Sequence, residues 1–396
     1  MSSWQVFVGL DVGKAEHHCV ALNAAGERLA DRPLPNDEQA LRALFGQLAR
    51  QGVPVVVVDQ PASIGALPVA VAQAMGLDTA YLPGLAMRRI ADLHPGEAKT
   101  DARDAFVIAD AARTLPHTLR SVDIAEPALA DLAVLVGYDD DLRDQVTAGT
   151  NRIRNLLLGI HPALERALGT DLAHPAVLAL LARYGGPSGL HRAGKARIDA
   201  ILAKKAPRMH AQLADRIWTA LGEQSVVVAG TAAVETILPR QADALAGLLD
   251  QRKVIAAEVE KVLDDHPLAE VLTSMPGVGV RTAARILVEI GDASSFPSAG
   301  HLAAYAGLAP VTRRSGSSIK GEHPSRGGNK RLKNALFLSA FAALHDPDSR
   351  AYYDRKRSQG KKHNAALICL ARRRDDVIYA MLRDHTRYQP GKPAAA

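Results

Sequence analysis

VPVVVVD, from Val53 to Asp59, decides how the first part of this chain folds. The valines Val55 to Val58 show no polar alternation, which predicts a strand buried on both faces, as in the middle of a sheet covered by helices on each side. Working outward, VFVGL (Val6 to Leu10), HHCVAL (His17 to Leu22) and the segment around Glu27 to Pro33 read as three further strands, and Asp37 to Arg50 reads as a helix. A helix near Gly65 to Met75, a short strand at Thr79 to Leu82 and a helical run from Asp101 to Thr114 follow. Together they predict one α/β domain over residues 1–120.

The remainder reads differently. The chain has 396 residues, enough for two or three domains, with 47% apolar and 23% charged residues, the balance of a folded protein. Aromatic residues are only 4%, so cores are expected from Ala, Leu, Val and Ile, which favours helix outside the sheet. Residues 121–266 read as helix almost throughout, with apolar spacing of three and four in Leu132 to Leu158 and Ala242 to Val262, the pattern of a helical coiled-coil arm. Gly185, Gly186, Pro187 and Gly189 are expected to break this region, and Pro239 to break it again. A mainly helical C-terminal domain over 267–388 and a disordered tail over 389–396 complete the reading.

Cys19 and Cys369 are too few for a disulfide framework and lack structural-zinc spacing, which points to a reducing, cytoplasmic setting. No export signal and no apolar run of about 18 residues stands out, so no membrane role is expected. The formal charge is only +6, yet residues 311–374 hold 16 Lys and Arg against 4 Asp and Glu, so this stretch is built to meet a polyanion.

Four aspartates carry the chemistry. Asp11 ends the first strand in LDVGK, Asp59 ends the buried strand, and Asp101 and Asp104 lie three apart in KTDARDA, on one face of the predicted helix. Oxygen-only ligands of this kind suit Mg²⁺ or Mn²⁺ rather than zinc, and a pair of such ions about 4 Å apart supports phosphoryl transfer. Each residue also has a plainer reading: Asp101 as a helix N-cap, Asp104 on a solvated face, Asp11 and Asp59 as turn formers. Taken jointly, carboxylates at the ends of the first and fourth strands and at a following helix resemble the catalytic pattern of the ribonuclease-H-like, RuvC-like fold. His17 and His18 alternate on the second strand, so at most one faces the aspartates and neither is assigned as a ligand. Lys14 and Lys99 lie close enough in sequence for electrostatic support, or simply to balance charge.

Near the C-terminus, MPGVGVRTAARILVEI (Met275 to Ile290) has the Pro-Gly-x-Gly turn and amphipathic helix of a helix-hairpin-helix, whose amides can hold a phosphate without reading bases. Next, YAGLAPVTRRSGSSIKGEHPSRGGNKRLKNALFLSAF places Ser315, Ser317 and Ser318 in a Gly-rich loop before a helix starting near Asn329. Arg313, Arg314, Lys320, Arg326, Lys330 and Arg331 are candidates for nucleic-acid phosphate contacts. From residues alone this is either a phosphate-binding loop or one that delivers a hydroxyl nucleophile. His323 and Glu322 are weak candidates for its base. Tyr352 and Tyr353, followed by basic residues through Arg374, are expected to offer stacking and backbone contacts.

GLDVGK, VVVVDQPAS, AKTDARDA and this C-terminal block together resemble the DEDD transposases of bacterial insertion sequences, the insertion-sequence-110 family. The four acidic positions of that family map onto Asp11, Asp59, Asp101 and Asp104, with Asp at the second where Glu is common. The resemblance implies that Ser315, in the Ser-Gly pair after the GLAP segment, is the nucleophile of a composite site completed by another subunit, forming a covalent DNA intermediate. Ser317 and Ser318 remain alternatives. It further implies donor and target double-stranded DNA, a structured bridge RNA as guide, and a homodimer or homotetramer. A metal-dependent junction-resolving nuclease and a non-catalytic nucleic-acid-binding assembly protein are the competing readings of the same residues.

Overall fold

The computed structural model describes residues 4–61, 63–94, 100–121, 127–315 and 319–390, and the chain falls into two compact units, 1–125 and 126–396. The expected tail over 389–396 lies outside the described residues except for Gln389 and Pro390.

In the first unit the strands are β1 (Val6–Asp11), β2 (Glu16–Asn23), β3 (Arg28–Pro35), β4 (Pro54–Val58), β5 (Asp78–Tyr81) and β6 (Arg120–Ser121), and the helices are α1 (Glu38–Ala49), α2 (Ala66–Ala74), α3 (Gly84–Ala91) and α4 (Asp101–Thr114). The sheet order is β3-β2-β1-β4-β5-β6, with β1 antiparallel to β2 and parallel to β4, which in turn is parallel to β5. This mixed sheet fits the expected ribonuclease-H-like domain. All five residues of β4 are buried, because the even positions Val56 and Val58 pack against α1 and α2 while Val55 and Val57 pack against α4. The uninterrupted valines therefore serve two cores at once.

The second unit opens with α5 (Pro127–Ile160), continues through α6 (Pro162–Leu168), α7 (Pro175–Tyr184), α8 (Pro187–Ala193), α9 (Lys195–Lys205) and α10 (His210–Gly222), and returns along α11 (Thr231–Asp264). The two long helices pair antiparallel: Arg252 grips Asp139 through two bonds of 2.9 and 3.0 Å, and Arg152 donates to Gln241 at 3.2 Å. At one end of the pair Ile153, Leu157, Leu238 and Leu245 share a core with α6 to α10. At the other, Leu132, Val136, Val259 and Leu263 join a core made by α12 (Ala269–Thr273), α13 (Val280–Ile290), α14 (Ala299–Tyr305), α15 (Lys330–Ala342), α16 (Pro347–Ser358) and α17 (His363–Asp384).

One expectation fails here. Pro239 does not break the helix; it sits inside an unbroken α11. A proline cannot bond the carbonyl four residues back, that of Glu235. Gly185, a glycine with φ of +77°, packs so close to that carbonyl that a Cβ there would lie 3.0 Å from it. The Glu235 carboxylate meanwhile accepts from Ser188 N at 2.6 Å. The α7–α8 turn thus packs onto α11 beside the proline.

A second difference concerns the Ser-rich segment, read as a loop. It contains β7 (Val311–Ser315) and β8 (Ile319–His323), an antiparallel hairpin with Ser315 opposite Ile319. The β-branched Val311, Thr312 and Ile319 suit a strand, and two short arms pair locally at little loop-closure cost.

Candidate active site

Parallel pairing of β1 with β4 runs to Leu10 opposite Val58, so Asp11 and Asp59 follow at adjacent strand ends, with strands about 4.8 Å apart. Leu10 and Val58 belong to the core under α1 and α2, and Phe7, Val55 and Val57 to the core under α4. The two-residue alternation thus turns both aspartates toward α4.

Helix α4 is brought onto β1 by Gly9, where a Cβ would stand 2.3 Å from Ala105 O and 2.5 Å from Ala109 N. Its C-terminal Arg113 lies against Gly26, in the turn beyond Asn23, and Asn23 pairs with Val6 at the start of β1. The helix therefore runs antiparallel to β1, and its first turn, with Asp101 and Asp104, lies at the Asp11 end. Thr100 is the N-cap, accepting from Arg103 N at 3.3 Å, so Asp101 is the first helical residue and not the cap. Both acids also favour the positive end of the helix dipole.

The structure brings the four carriers to one sheet edge without closing their side chains into a cage: among the described residues no three His, Cys, Asp or Glu groups form a ready metal cluster. The edge nonetheless suits a hard cation. Asp59 keeps Oδ1 buried with no hydrogen-bond partner, while its Oδ2 accepts from Gln60 at 3.3 Å. A buried carboxylate oxygen without a donor is costly unless a cation completes it.

The neighbouring side chains separate cleanly. His18 pairs with Asp11 across β1 and β2 and shares its face, but its Nε2 bonds Asp31 at 2.9 Å. His17 points to the opposite core, where burial lowers its pKa, and its Nδ1 accepts from Gly13 N at 3.2 Å. Lys14 is exposed, and Lys99 lies outside the described residues.

In the second unit Ser315 closes β7, and Ser317 and Ser318 lie outside the described residues. Arg313 pairs with Gly321 and Arg314 with Lys320 along the hairpin, while Arg326, Lys330 and Arg331 are exposed at its foot. Sequence reading missed what holds this foot. Gly307 (φ +69°) and Gly328 (φ +92°) touch backbone to backbone, with a Cβ on Gly307 only 2.4 Å from Gly327 O. Asn329 caps α15 through Arg331 N and Leu332 N and donates to Glu289 at 2.6 Å and to Tyr305 Oη at 3.0 Å. Lys333 reaches Gly307 O at 2.9 Å. An Asn ahead of a helical run was a visible capping signal; Glu289, forty residues away, had none.

The Met275–Ile290 segment forms a turn and α13, with α12 ending just before it. Gly277 (φ +80°) packs on α15, where a Cβ would lie 2.5 Å from Ser339 O. Arg374, expected among the basic residues offering nucleic-acid backbone contacts, is buried instead: it bonds Ser339 Oγ at 2.7 Å and the Pro276 carbonyl at 2.5 Å, locking the turn. Burial lowers its pKa to about 10, still charged at neutral pH. Tyr353 is not available for stacking either, being buried with its hydroxyl on His363 at 2.7 Å. The Tyr352 ring is already flanked by Arg355, Lys356 and Arg373 at 5.0 to 5.5 Å.

An acid-lined sheet edge followed by a basic helical unit fits a DNA-processing enzyme of the transposase class, and comparison with known proteins shows that class. Residues 8–162 match a DEDD-type insertion-sequence-110 model described as Transposase, and residues 269–354 match the model described as Transposase IS116/IS110/IS902 family. Over 391 residues, 98% of this chain and 96% of the relative, it is 56% identical to the "Insertion element IS110 uncharacterized 43.6 kDa protein" of Streptomyces coelicolor. It is 31% identical to the "Mini-circle putative transposase for IS117" of the same organism, covering 92% of this chain and 90% of the relative. A 120-residue stretch, 30% of this chain and 37% of the relative, is 38% identical to the "Pilin gene-inverting protein" of Moraxella bovis. The chain belongs to the insertion-sequence-110 family of transposases.

Proposed function

We propose that this transposase cleaves and exchanges DNA strands under the direction of a structured bridge RNA, using Asp11, Asp59, Asp101 and Asp104 to hold Mg²⁺ or Mn²⁺ and Ser315 as nucleophile. The observation that carries the metal role is the orphaned, buried Oδ1 of Asp59 beside the end of β1. Bound divalent ions supply charge neutralisation at the phosphate and activation of the attacking oxygen. Asp11 and Asp59 orient such ions from the strand ends, and Asp101 and Asp104 from the first turn of α4.

In this reading the Ser315 oxygen forms a bond to phosphorus as a phosphorus–oxygen bond to the sugar breaks. The serine proton leaves to solvent, and the departing sugar oxygen takes up a proton. Arg313, Arg314, Lys320, Arg326, Lys330 and Arg331 hold the phosphates of donor and target duplexes. Residues 121–266 act as a coiled-coil arm, 267–388 as the C-terminal transposase domain with its helix-hairpin-helix, and a second subunit of a homodimer or homotetramer completes the site. The bacterial cytoplasm is the proposed location.

The test is incubation of the protein with Mg²⁺, the flanking-element RNA and labelled donor DNA, followed by a denaturing gel of wild type and Ser315→Ala. A covalent adduct in wild type alone supports the serine mechanism. A second reading is favoured by one observation: all four carboxylates lie in the first compact unit and Ser315 in the second. A metal-and-water nuclease needs only the first, and cleavage without an adduct in both proteins would select it.

A further inference from the structure

A pocket of about 230 Å³ opens where the base of the long helix pair meets α13 and α15. Its lining includes Arg143 of α5, Arg252 of α11, Arg281 and Arg285 of α13 and Arg331 of α15, against two carboxylates, Asp139 and Asp140. Five guanidinium groups converging on one small space from four helices is a costly arrangement unless something anionic completes it.

The inner arginines are matched. Arg252 makes its two-bond pair with Asp139, and Asp140 receives Arg285 at 2.5 Å and Arg143 at 2.8 Å. Arg285 is further held by Glu289 at 3.2 Å and by the Val136 carbonyl at 3.1 Å. Burial alone would raise the Asp139 carboxyl, yet Arg252, with Arg281 and Arg143 facing it, holds it below the usual range. These pairs fix the wall of the pocket.

The rim is different. Arg281 is exposed and donates to the Arg252 carbonyl at 3.2 Å, and Arg331 is exposed and stands 3.8 Å from Asp140, beyond hydrogen-bond distance. Both belong to first helical turns, Arg281 following Val280 and Arg331 following Lys330, so the positive ends of two helix dipoles reach the same mouth. The floor is apolar, made by Val136, Val259, Ala335 and the half-exposed Leu338.

We propose that this pocket binds a phosphodiester of a nucleic-acid strand, with Arg281 and Arg331 gripping the phosphate and the apolar floor receiving the adjoining sugar or base. The proposal rests on the nucleic-acid role proposed above and extends it from Arg331, already among the phosphate contacts, to a pocket at the base of the helix pair beside the foot of the Ser315 hairpin. Rigid, pre-paired arginines behind an open rim favour a planar, bidentate anion contact over diffuse attraction.

The experiment measures binding of the full chain to a fluorescein-labelled DNA duplex, the same sequence as single-stranded DNA, and the same sequence as single-stranded RNA, across a salt series. Proteins compared are wild type, Arg281→Ala, Arg331→Ala, the double variant, and Lys253→Ala, which removes an exposed charge of α11 paired with Asp250 at 2.8 Å outside the pocket. Expected is a several-fold loss of affinity in each arginine variant for at least one probe. The double variant should lower the slope of log affinity against log salt by roughly one, the change for a single phosphate no longer neutralised. Lys253→Ala should bind as wild type, and the probe most affected identifies the strand. Arg281→Lys should recover part of the loss, since charge without the fork restores part of the contact.

Unchanged affinity and salt slope in the double variant for all three probes overturns the pocket alone. So does an equal loss in Lys253→Ala, which would mean general charge attraction. Failure of wild type to bind any probe overturns both the pocket and the nucleic-acid reading beneath it. Unfolding midpoints of all variants should match wild type, because the three side chains changed are exposed.

Discussion

Asp11 and Asp59 stand one step beyond the paired Leu10 and Val58 at the ends of two parallel strands, and both turn to the face covered by α4. Only Asp59 carries a buried oxygen without a hydrogen-bond partner among these two, and that asymmetry makes it the more informative residue to change.

Asp59→Asn should leave the metal-free protein about as stable as wild type, since the buried Oδ1 has no hydrogen bond to lose. Adding Mg²⁺ should raise the unfolding midpoint of wild type and not of the variant, and strand cleavage should be lost. Thermal melts with and without EDTA read this directly. Equal Mg²⁺ responses in the two proteins would remove Asp59 from the metal site.

Gly9→Ala should cost about 3 kcal/mol or more, beyond ordinary overpacking, because the new methyl meets the α4 backbone at Ala105 and Ala109, which cannot rotate away as a side chain can. Urea denaturation measures the loss. The same change forces α4, and with it Asp101 and Asp104, off the strand ends, so cleavage should fall even at temperatures where the variant stays folded.

Arg374→Ala should destabilise by about 2–4 kcal/mol, since the Ser339 hydroxyl and the Pro276 carbonyl lose their donor in a buried setting. Chemical denaturation gives the size. A change within 0.5 kcal/mol of wild type, the range of an ordinary surface substitution, would mean that the hairpin turn does not depend on this anchor.

Asp375 is buried on α17 with both carboxylate oxygens unpartnered, and burial pushes its pKa up to about 8, with Arg372 at 3.7 Å only partly opposing. The folded protein thus keeps the proton over a range in which the unfolded chain, with its ordinary value of 3.8, releases it. Stability from this residue is complete below the unfolded value and is lost progressively as pH rises toward 8. Asp375→Asn should therefore gain on wild type in unfolding midpoint as pH is raised from 4.5 to 8. A gap that stays constant with pH would refute the assignment.

Local pattern alone determined a good deal about this protein. The valines Val55 to Val58 specified a two-faced central strand, the spacing of Asp101 and Asp104 specified one helix face, and Asn329 marked a helix start, because burial alternation, helical period and capping are encoded within a few residues. Only the tertiary structure decided how those pieces meet. Gly9 became the seat of α4, Pro239 stayed inside an unbroken helix with the Gly185 turn packed beside it, and Arg374 left the basic surface to lock a turn ninety-eight residues away. The orphaned Asp59 oxygen and the Arg281–Arg331 rim belong to the same category. Each depends on which backbone or charge arrives from a distant segment, and neither composition nor periodicity records that arrival.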